Sequence, residues 1–387
     1  MGNCFYKKKY SVENHINSNI KQFEGIYSNN IKHGYCIEYN INGEKIFEGQ
    51  FLNNKKNGLG VILNNNIKIF EGYFIDDVIN GFGKDYINNS LLYEGQWNNN
   101  MKHGFGTLYY LESNTIYYKG NFYNNKKQGS GKLYYKNSNL KIDGFWDNDL
   151  LINGLEYWEN GILKYEGLFK NDKYFGQSII YLDNGILHYD GFFENGFKNG
   201  FGKEYENNIL TYEGNFKDNF KNGFGKIYNH KQLYYEGNFK NNKKNGSGKL
   251  YKKNLKYIGF FKNDLFHGKG ELYYNNFYYI GDFRSGLKNG LGKLYINNSL
   301  LYDGNFFNDS KQGYGILYNS ETNHILYKGH FINDLRDGYG ILYFNNNFIC
   351  YKGYWTYNMS NGYGEEYNKN KQLIYKGEWK YNNKLNK

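Results

Sequence analysis

The chain has 387 residues, a formal net charge of +11, 21% aromatic residues and no proline. It contains no run of 18 apolar residues, which excludes a predicted transmembrane helix. Its three scattered cysteines (Cys4, Cys36 and Cys350) are too few for a disulfide framework or a metal site. The first residues lack the apolar centre of a signal peptide, so we expect an intracellular protein.

The chain opens with a segment, residues 1–22, that has features of lipid modification. Gly2 becomes the N-terminus once Met1 is removed, as N-myristoylation requires, and Cys4 lies where a palmitoylated cysteine would. Stable anchoring needs a second acyl chain or a basic cluster, and three lysines follow (Lys7, Lys8 and Lys9). Tyr6 departs from the motif, which has Ser or Thr there. The open alternative is an ordinary N-terminus in which Gly2 and Cys4 occur by chance.

Sixteen glycines, from Gly25 to Gly377, recur at intervals of 22 to 25 residues and mark a tandem repeat over residues 23–379. The residue two before each marker glycine is aromatic in fifteen repeats, with Ile142 as the exception. The residue two after it is aromatic in all sixteen. A period of two places these side chains on one face of a β-strand. The glycine between them leaves room for a ring to cover the backbone.

A second glycine follows nine residues after most marker glycines, and a third comes two residues later in twelve repeats. In the repeat that starts at Tyr93, residues 104–110 predict a second strand, joined to the first by six polar residues, 98–103. Between repeats, three Asn-Gly pairs predict type I′ turns, and three Asn-Asn pairs at the same place tolerate a left-handed backbone. These pairs are Asn42-Gly43, Asn160-Gly161 and Asn184-Gly185, then Asn88-Asn89, Asn207-Asn208 and Asn297-Asn298.

Each repeat is therefore a predicted antiparallel hairpin that continues into the next. We predict an all-β fold, an elongated single-layer antiparallel β-ribbon or solenoid of about fifteen tandem hairpins. Residues 380–387 are predicted as a C-terminal tail.

The pattern Tyr-Glu-Gly-x-Trp/Phe, a polar link and Gly-x-Gly-x-Leu-Tyr resembles the MORN repeat (membrane occupation and recognition nexus). The third glycine is replaced by Cys36, Glu156 and Ser178 in three repeats, and segment 147–153 is interpreted as holding one extra residue. We expect a kink or a looser stretch in the two weak repeats, residues 144–185. The resemblance implies a chain made almost wholly of repeats, as in proteins of membrane-associated skeletons and cell division.

Many predicted links carry lysine, and a row of them along one edge would suit anionic lipid headgroups. The candidate lipid-contact residues are Lys55, Lys56, Lys126, Lys127, Lys243 and Lys244, together with Lys7, Lys8 and Lys9. The open alternative is a solvated, lysine-rich link. No nucleic-acid partner is predicted, because the aromatic residues belong to the strand repeat and no recognition module appears.

No catalytic residue, metal or cofactor is predicted. His33, His103 and His267 each precede the second glycine, so the repeat explains them, and the residue before the marker glycine is Glu in some repeats and Lys in others. We expect a non-catalytic scaffold or tether at the cytoplasmic face of the plasma membrane or an inner cortical membrane. Its expected partners are lipids and cytoskeletal or membrane proteins. The alternative is a regulatory or targeting subunit that docks on a separate enzyme.

The last repeat is predicted to have a first strand, residues 375–379, without a second one. Such an edge can accept a strand from another chain. Together with the resemblance, it favours a homodimer joined through the C-terminal repeats, although Lys380, Lys384 and Lys387 are charges of the kind that protect edges.

Overall fold

A computed structural model describes residues 8–16, 18–344 and 347–385, and in these ranges the chain forms strands and turns without a helix. Nothing in this part of the chain is a helix long and apolar enough to cross a membrane. The chain divides into two compact units, residues 1–197 and 198–387. Gly2, Cys4 and Lys7 lie outside the described residues.

The first unit contains strands β1 to β16, each paired antiparallel with the next. Their bounds are β1 Lys8–Asn14, β2 Lys21–Ser28, β3 Ile31–Tyr39, β4 Lys45–Leu52, β5 Lys55–Asn64, β6 Ile67–Ile75, β7 Val78–Ile87, β8 Ser90–Asn98, β9 Met101–Tyr109, β10 Ile116–Tyr123, β11 Lys126–Tyr134, β12 Leu140–Asp147, β13 Leu150–Tyr157, β14 Leu163–Lys170, β15 Lys173–Tyr181 and β16 Leu187–Glu194.

The second unit contains strands β17 to β33, again paired antiparallel in sequence order. Their bounds are β17 Phe197–Glu206, β18 Ile209–Lys217, β19 Phe220–Asn229, β20 Gln232–Lys240, β21 Lys243–Lys252, β22 Leu255–Lys262, β23 Leu265–Tyr274, β24 Phe277–Arg284, β25 Leu287–Ile296, β26 Ser299–Phe307, β27 Ser310–Tyr318, β28 Ile325–Ile332, β29 Leu335–Tyr343, β30 Ile349–Thr356, β31 Met359–Tyr367, β32 Leu373–Lys380 and β33 Asn383–Lys384. Each unit is a single-layer sheet of hairpins, as predicted.

The strand register explains the glycine pattern. The marker Gly95 in β8 lies directly opposite Gly106, the third glycine of its repeat, in β9. A Cβ added to Gly106 would lie 2.5 Å from ring atoms of Tyr93. The tyrosine ring therefore lies flat over backbone that must stay bare, which confirms the predicted ring cover.

The two strands of a repeat are joined by a two-residue turn, here named the tip turn. In the repeat of Tyr93, this turn is Asn99-Asn100, whose φ angles are 47° and 63°, and β9 begins at Met101. The predicted six-residue link is therefore wrong. Asparagine tolerates the left-handed region that a type I′ turn needs at both positions, so these two residues alone connect the strands.

The turn between repeats, here named the return turn, takes two forms. Asn88-Asn89 has φ angles of 47° and 65°, which confirms the left-handed prediction. At Asn42-Gly43 only the glycine has a positive φ, 81°, and its N–H donates to the Asn40 carbonyl at 3.0 Å. The type I′ prediction is wrong at the three Asn-Gly sites, including Asn160-Gly161 and Asn184-Gly185. Each of these loops is longer, and its glycine alone takes the left-handed position that follows the turn.

One prediction about the weak repeats is also wrong. Gly154 lies opposite the marker Gly144, as the third glycine does in other repeats, yet it comes ten residues later instead of eleven. This repeat is therefore one residue short, and Gly154 is its third glycine. The predicted replacement of that glycine by Glu156 is wrong. The strand pairing continues from β12 through β16.

Both segments predicted to flank the array contain a strand. In the first of them, β1 pairs with β2 and brings Ser11 opposite the marker Gly25. In the last, β33 pairs with β32 at Trp379 and Lys380, so a short strand covers part of the predicted free edge.

Candidate binding surfaces

One face of each unit, here named the ring face, carries the aromatic side chains on both sides of the marker glycines. These rings contact one another edge to face: Tyr93 lies 5.4 Å from Trp97 of its own repeat and 5.3 Å from Phe122 of the next, with ring planes at 87° in both pairs. Tyr93 is fully buried, and its hydroxyl donates to the Gln96 carbonyl at 3.0 Å. The rings of successive repeats thus form a hydrophobic core on one face of the single-layer sheet.

A second set of side chains covers these rings from the start of each second strand. The residue seven after the marker glycine, here named the cap residue, is a cation in eleven of sixteen repeats. Lys102 is typical, with its ammonium 5.0 Å from the ring centre of Tyr93 and 3.6 Å from the Asp85 carboxylate. Arg336 lies 4.2 Å from Trp355 in the same way, and burial lowers the pKa of its guanidinium. The cap cations therefore have a structural role.

The tip turns bond to one another through the backbone next to the cap residue. In most repeats the second turn residue is Asn or Asp, and its side chain accepts the cap residue's backbone N–H from the preceding repeat; Gly196 and Gly286 are exceptions. Asp77 accepts from Lys56 at 2.8 Å, and the N–H of Asp77 donates to the Lys56 carbonyl at 3.0 Å. A charged acceptor of this kind fixes the spacing between consecutive tips.

The predicted lipid-contact lysines fall into two groups. Three are cap residues with half-buried side chains over rings (Lys56, Lys127 and Lys244), and their neighbours directly after the tip turn are exposed (Lys55, Lys126 and Lys243). At the N-terminus, Lys8 and Lys9 lie in β1, and Lys9 is exposed. The sequence did not separate the groups, because adjacent lysines look equivalent until their places relative to the turn are known.

The opposite face, here named the open face, exposes apolar side chains. The middle residue of Gly-x-Gly is a large apolar residue in many repeats and is about half exposed, as Phe105 is at 50%. The first unit contributes Tyr35, Leu59, Phe82 and Phe105, and the second contributes Phe201, Phe224, Leu291, Tyr314, Tyr339 and Tyr363. An apolar row of this kind, repeated along a sheet, is typical of an interaction surface.

A polar ladder lies beside this apolar row. The Tyr109 hydroxyl donates to Glu94 at 2.6 Å, and Lys84 approaches the same carboxylate at 3.6 Å. In the last complete repeat, Lys352, Tyr367 and Lys376 all donate to Glu365 and hold the pKa of its carboxyl at about 2. The carboxylate next to the marker glycine is therefore engaged across the strands, as the sequence indicated.

The weak repeats have cap residues without charge, Leu151 and Tyr174. Tyr174 stacks on Tyr165 with ring centres 3.8 Å apart and planes at 7°, and the cap residue Phe266 stacks on Tyr257 in the second unit at the same distance. A cleft of about 550 Å³ opens beside the cap residues of the weak repeats, lined by Lys127, Trp146 and others. The sequence signalled weak repeats here without indicating a cleft.

No group of three or more His, Cys, Asp and Glu side chains able to hold a metal occurs in the part of the chain that the structure describes. His103 precedes the second glycine of its repeat and lies 5.1 Å from the ring of Tyr123, a contact within the ribbon. Cys36 is buried opposite the marker Gly25, and burial raises the pKa of its thiol.

The MORN-repeat family model matches thirteen segments, which cover more than half of the chain. They are residues 23–45, 47–66, 70–84, 93–110, 118–140, 189–208, 212–229, 235–254, 257–277, 279–299, 302–320, 327–347 and 351–371. None lies within residues 141–188, where the ring face is irregular. None of the curated proteins compared with this chain matches it. A chain in the solved "Crystal Structure of TcdB2-TccC3-Cdc42" is 9% identical over 95% of this chain and 23% of that one, with a TM-score of 0.15.

Proposed function

This chain belongs to the MORN-repeat family, and on that premise we propose that it is a non-catalytic scaffold or tether at the inner face of a membrane. MORN repeats are generally associated with membrane and protein binding. The observation that carries the proposal is the apolar row repeated along the open face. Four of the sixteen repeats add an exposed lysine directly after the tip turn, at Lys55, Lys126, Lys173 and Lys243. A surface of this kind suits an extended partner better than a small substrate.

The exposed lysines supply the attraction to an anionic surface. Lys126 and Lys243 form no ion pair within the part of the chain that the structure describes, and the one contact of Lys55, to Asp76, measures 3.9 Å. Each such lysine contributes about 1 kcal/mol near an anionic leaflet. The cap lysines contribute less, because their ammonium groups face rings and carboxylates.

The membrane proposal is tested by sedimentation with vesicles. In a Lys55→Glu, Lys126→Glu, Lys243→Glu variant, binding to anionic vesicles should fall by about 100-fold or more, since at least ~3 kcal/mol is lost. The matched control reverses three exposed lysines on return turns, Lys231, Lys253 and Lys369. Equal losses in both variants would mean that net charge, and not the tip-turn lysines, governs binding.

The acylation proposal is tested separately in cells. The tagged chain should lie at a membrane, label with a myristate analogue, and become diffuse as the Gly2→Ala or Cys4→Ser variant. Labelling that persists in Gly2→Ala would refute acylation at Gly2 and leave the vesicle result untouched.

The open face favours a second candidate function, a regulatory or targeting subunit that docks on a separate enzyme. A stoichiometric enzyme partner that is lost on Phe224→Asp would support this candidate. Detergent-resistant peripheral localisation that survives Phe224→Asp would support the scaffold. Phe224 is 51% exposed, so its replacement leaves the ring face intact.

We further propose that two chains join through their C-terminal repeats. Strand β33 and Leu385 pair only with the last residues of β32, from Glu378 onward, so residues 373–377 keep an edge to which a strand can add. A chain truncated before Tyr351 should be monomeric by light scattering, and dimers that persist would place the contact elsewhere.

A further inference from the structure

The ring face has one interruption, at the repeat that is one residue short. Ile142 stands where every other repeat has an aromatic ring, and Leu151 replaces the cap cation. A Cβ on the marker Gly144 would lie 2.6 Å from Leu151 Cδ1, so this leucine takes over the covering of bare backbone. Among the ring contacts of the described residues, the edge-to-face series stops at Trp146 and resumes at Tyr165.

The cleft of about 550 Å³ lies at this interruption, within the first unit. Its floor is apolar: Leu133, Trp146, Leu151 and Phe169 are all at least nine-tenths buried, and Ile142 is half-buried beside them. The volume falls within the range of small-molecule sites, about 300 to 1,000 Å³.

Three cations lie at the rim without a close ion pair to a carboxylate of the described residues. Lys127, Lys141 and Lys173 line the cleft, and none forms an ion pair within residues 8–16, 18–344 and 347–385. The Lys127 ammonium lies 4.4 Å from the ring centre of Trp146, and burial lowers the pKa of this lysine. Asp149 and Asp172 act on this ammonium group at longer range, so Lys141 and Lys173 are the cations beside the apolar floor that favour an anionic headgroup.

The carboxylates at the rim are already engaged. Asp149 accepts the backbone N–H of Lys127 at 2.8 Å, and Asp172 accepts that of Leu151 at 3.2 Å. Glu156 accepts from the Lys164 ammonium and the Tyr174 hydroxyl, both at 2.7 Å. These acidic groups therefore serve the fold, and no carboxylate forms an ion pair with Lys141 or Lys173 within the described part of the chain.

We propose that this cleft binds a single-chain anionic amphiphile, with its alkyl chain on the apolar floor and its carboxylate or phosphate beside Lys141 and Lys173. The site does not depend on the proposed membrane role. Most of its lining lies within residues 141–188, where the family model finds no repeat, and Lys127 and Leu133 come from the preceding matched repeat.

The test is calorimetric titration of the full chain with dodecanoate and with dodecyl phosphate, each below its critical micelle concentration. We expect one saturable site, binding about tenfold weaker in Lys173→Glu, and no change in Lys126→Glu. Both lysines are exposed, and only Lys173 lines the cleft. The uncharged dodecyl maltoside should bind at least tenfold more weakly.

A second variant tests the floor. Ile142→Phe restores the ring used at this place in three other repeats, such as Phe47, and should weaken binding of both headgroups equally while the circular dichroism spectrum is retained. Equal affinity for the uncharged amphiphile, equal effects of Lys173→Glu and Lys126→Glu, or no saturable binding would each overturn the cleft proposal. Binding to anionic vesicles without binding of the monomeric amphiphiles would also overturn it and leave the membrane role standing.

Discussion

The packing of the ring face allows the stability loss of a Tyr93 variant to be predicted. Replacing this fully buried side chain by alanine opens a cavity and removes two edge-to-face contacts, at 5.4 and 5.3 Å. Large aromatic-to-alanine changes in a core cost about 3 to 5 kcal/mol, and each lost ring pair accounts for about 0.5 to 1.5 kcal/mol. We expect Tyr93→Ala to destabilise its repeat by about 4 kcal/mol.

Two control variants separate the contributions. Tyr93→Phe keeps the ring and loses only the hydrogen bond to Gln96, which is worth about 1 kcal/mol. Phe105→Ala removes an aromatic ring from the open face of the same repeat, where half the side chain is already exposed, at a cost of about 1 kcal/mol.

The measurement must report on single repeats, because an array of repeats does not unfold in one cooperative step. Amide hydrogen exchange of β8 and β9 gives the local free energy of opening in each variant. If the free energies of opening of Tyr93→Ala and Phe105→Ala differ by less than 1 kcal/mol, the ring face is not the hydrophobic core of the sheet.

Three further predictions follow from individual contacts. Gly106→Ala should destabilise β9 by at least ~2 kcal/mol in hydrogen exchange, because its Cβ would meet the ring of Tyr93. Asp77→Ala should cost about 1 kcal/mol by the same measurement, since the preceding repeat loses a backbone hydrogen bond to a charged acceptor. Glu365 should titrate near pH 2, well below its ordinary 4.5, because Lys352 and its neighbours favour the charged form. The stability that this carboxylate contributes is therefore present above pH 4.5 and is lost as the pH falls toward 2.

Each of these predictions has a control. Gly161→Ala meets no neighbour within 4 Å and carries only the strain of its φ of 85°, about 1 kcal/mol. Asp76→Ala changes the other residue of the same tip turn without removing a backbone acceptor. A loss as large as that of Asp77→Ala would show that turn propensity, and not the hydrogen bond, matters. Carboxyl NMR should place Glu365 nearer 4.5 in Lys352→Met, and an unchanged midpoint would contradict the cause assigned.

Sequence periodicity was sufficient to predict the strands and the faces of the rings. The alternation around Gly95 has one solution on a pleated strand, and the register that sets Gly95 against Gly106 follows from the need to cover bare backbone. The tip turns were mistaken for longer links because Asn99-Asn100 resembles any polar stretch. Its left-handed φ angles depend on a strand pairing that the sequence does not show.

The cleft was harder to predict than the fold. Counting residues between glycines assigned Gly154 to the wrong place and inserted a residue that is in fact missing. Only the pairing of Gly154 with Gly144 reveals the deletion, and only the three-dimensional contacts reveal that the carboxylates near Lys127 are engaged. Counting residues between glycines therefore identifies the regular repeats and misplaces the strand register in the repeat that is one residue short.

The stepwise pairing of neighbouring strands has a mechanical consequence for a tether. Tension along either unit acts in line with the interstrand hydrogen bonds and loads them one ladder at a time, so strands peel away singly instead of resisting together. Each repeat of about 23 residues would then release roughly 70 Å of slack, from an extended length of ~3.4 Å per residue less the ~10 Å that two paired strands occupy. A tether built in this way would limit the force between the structures that it joins, because it would lengthen in small steps before it breaks.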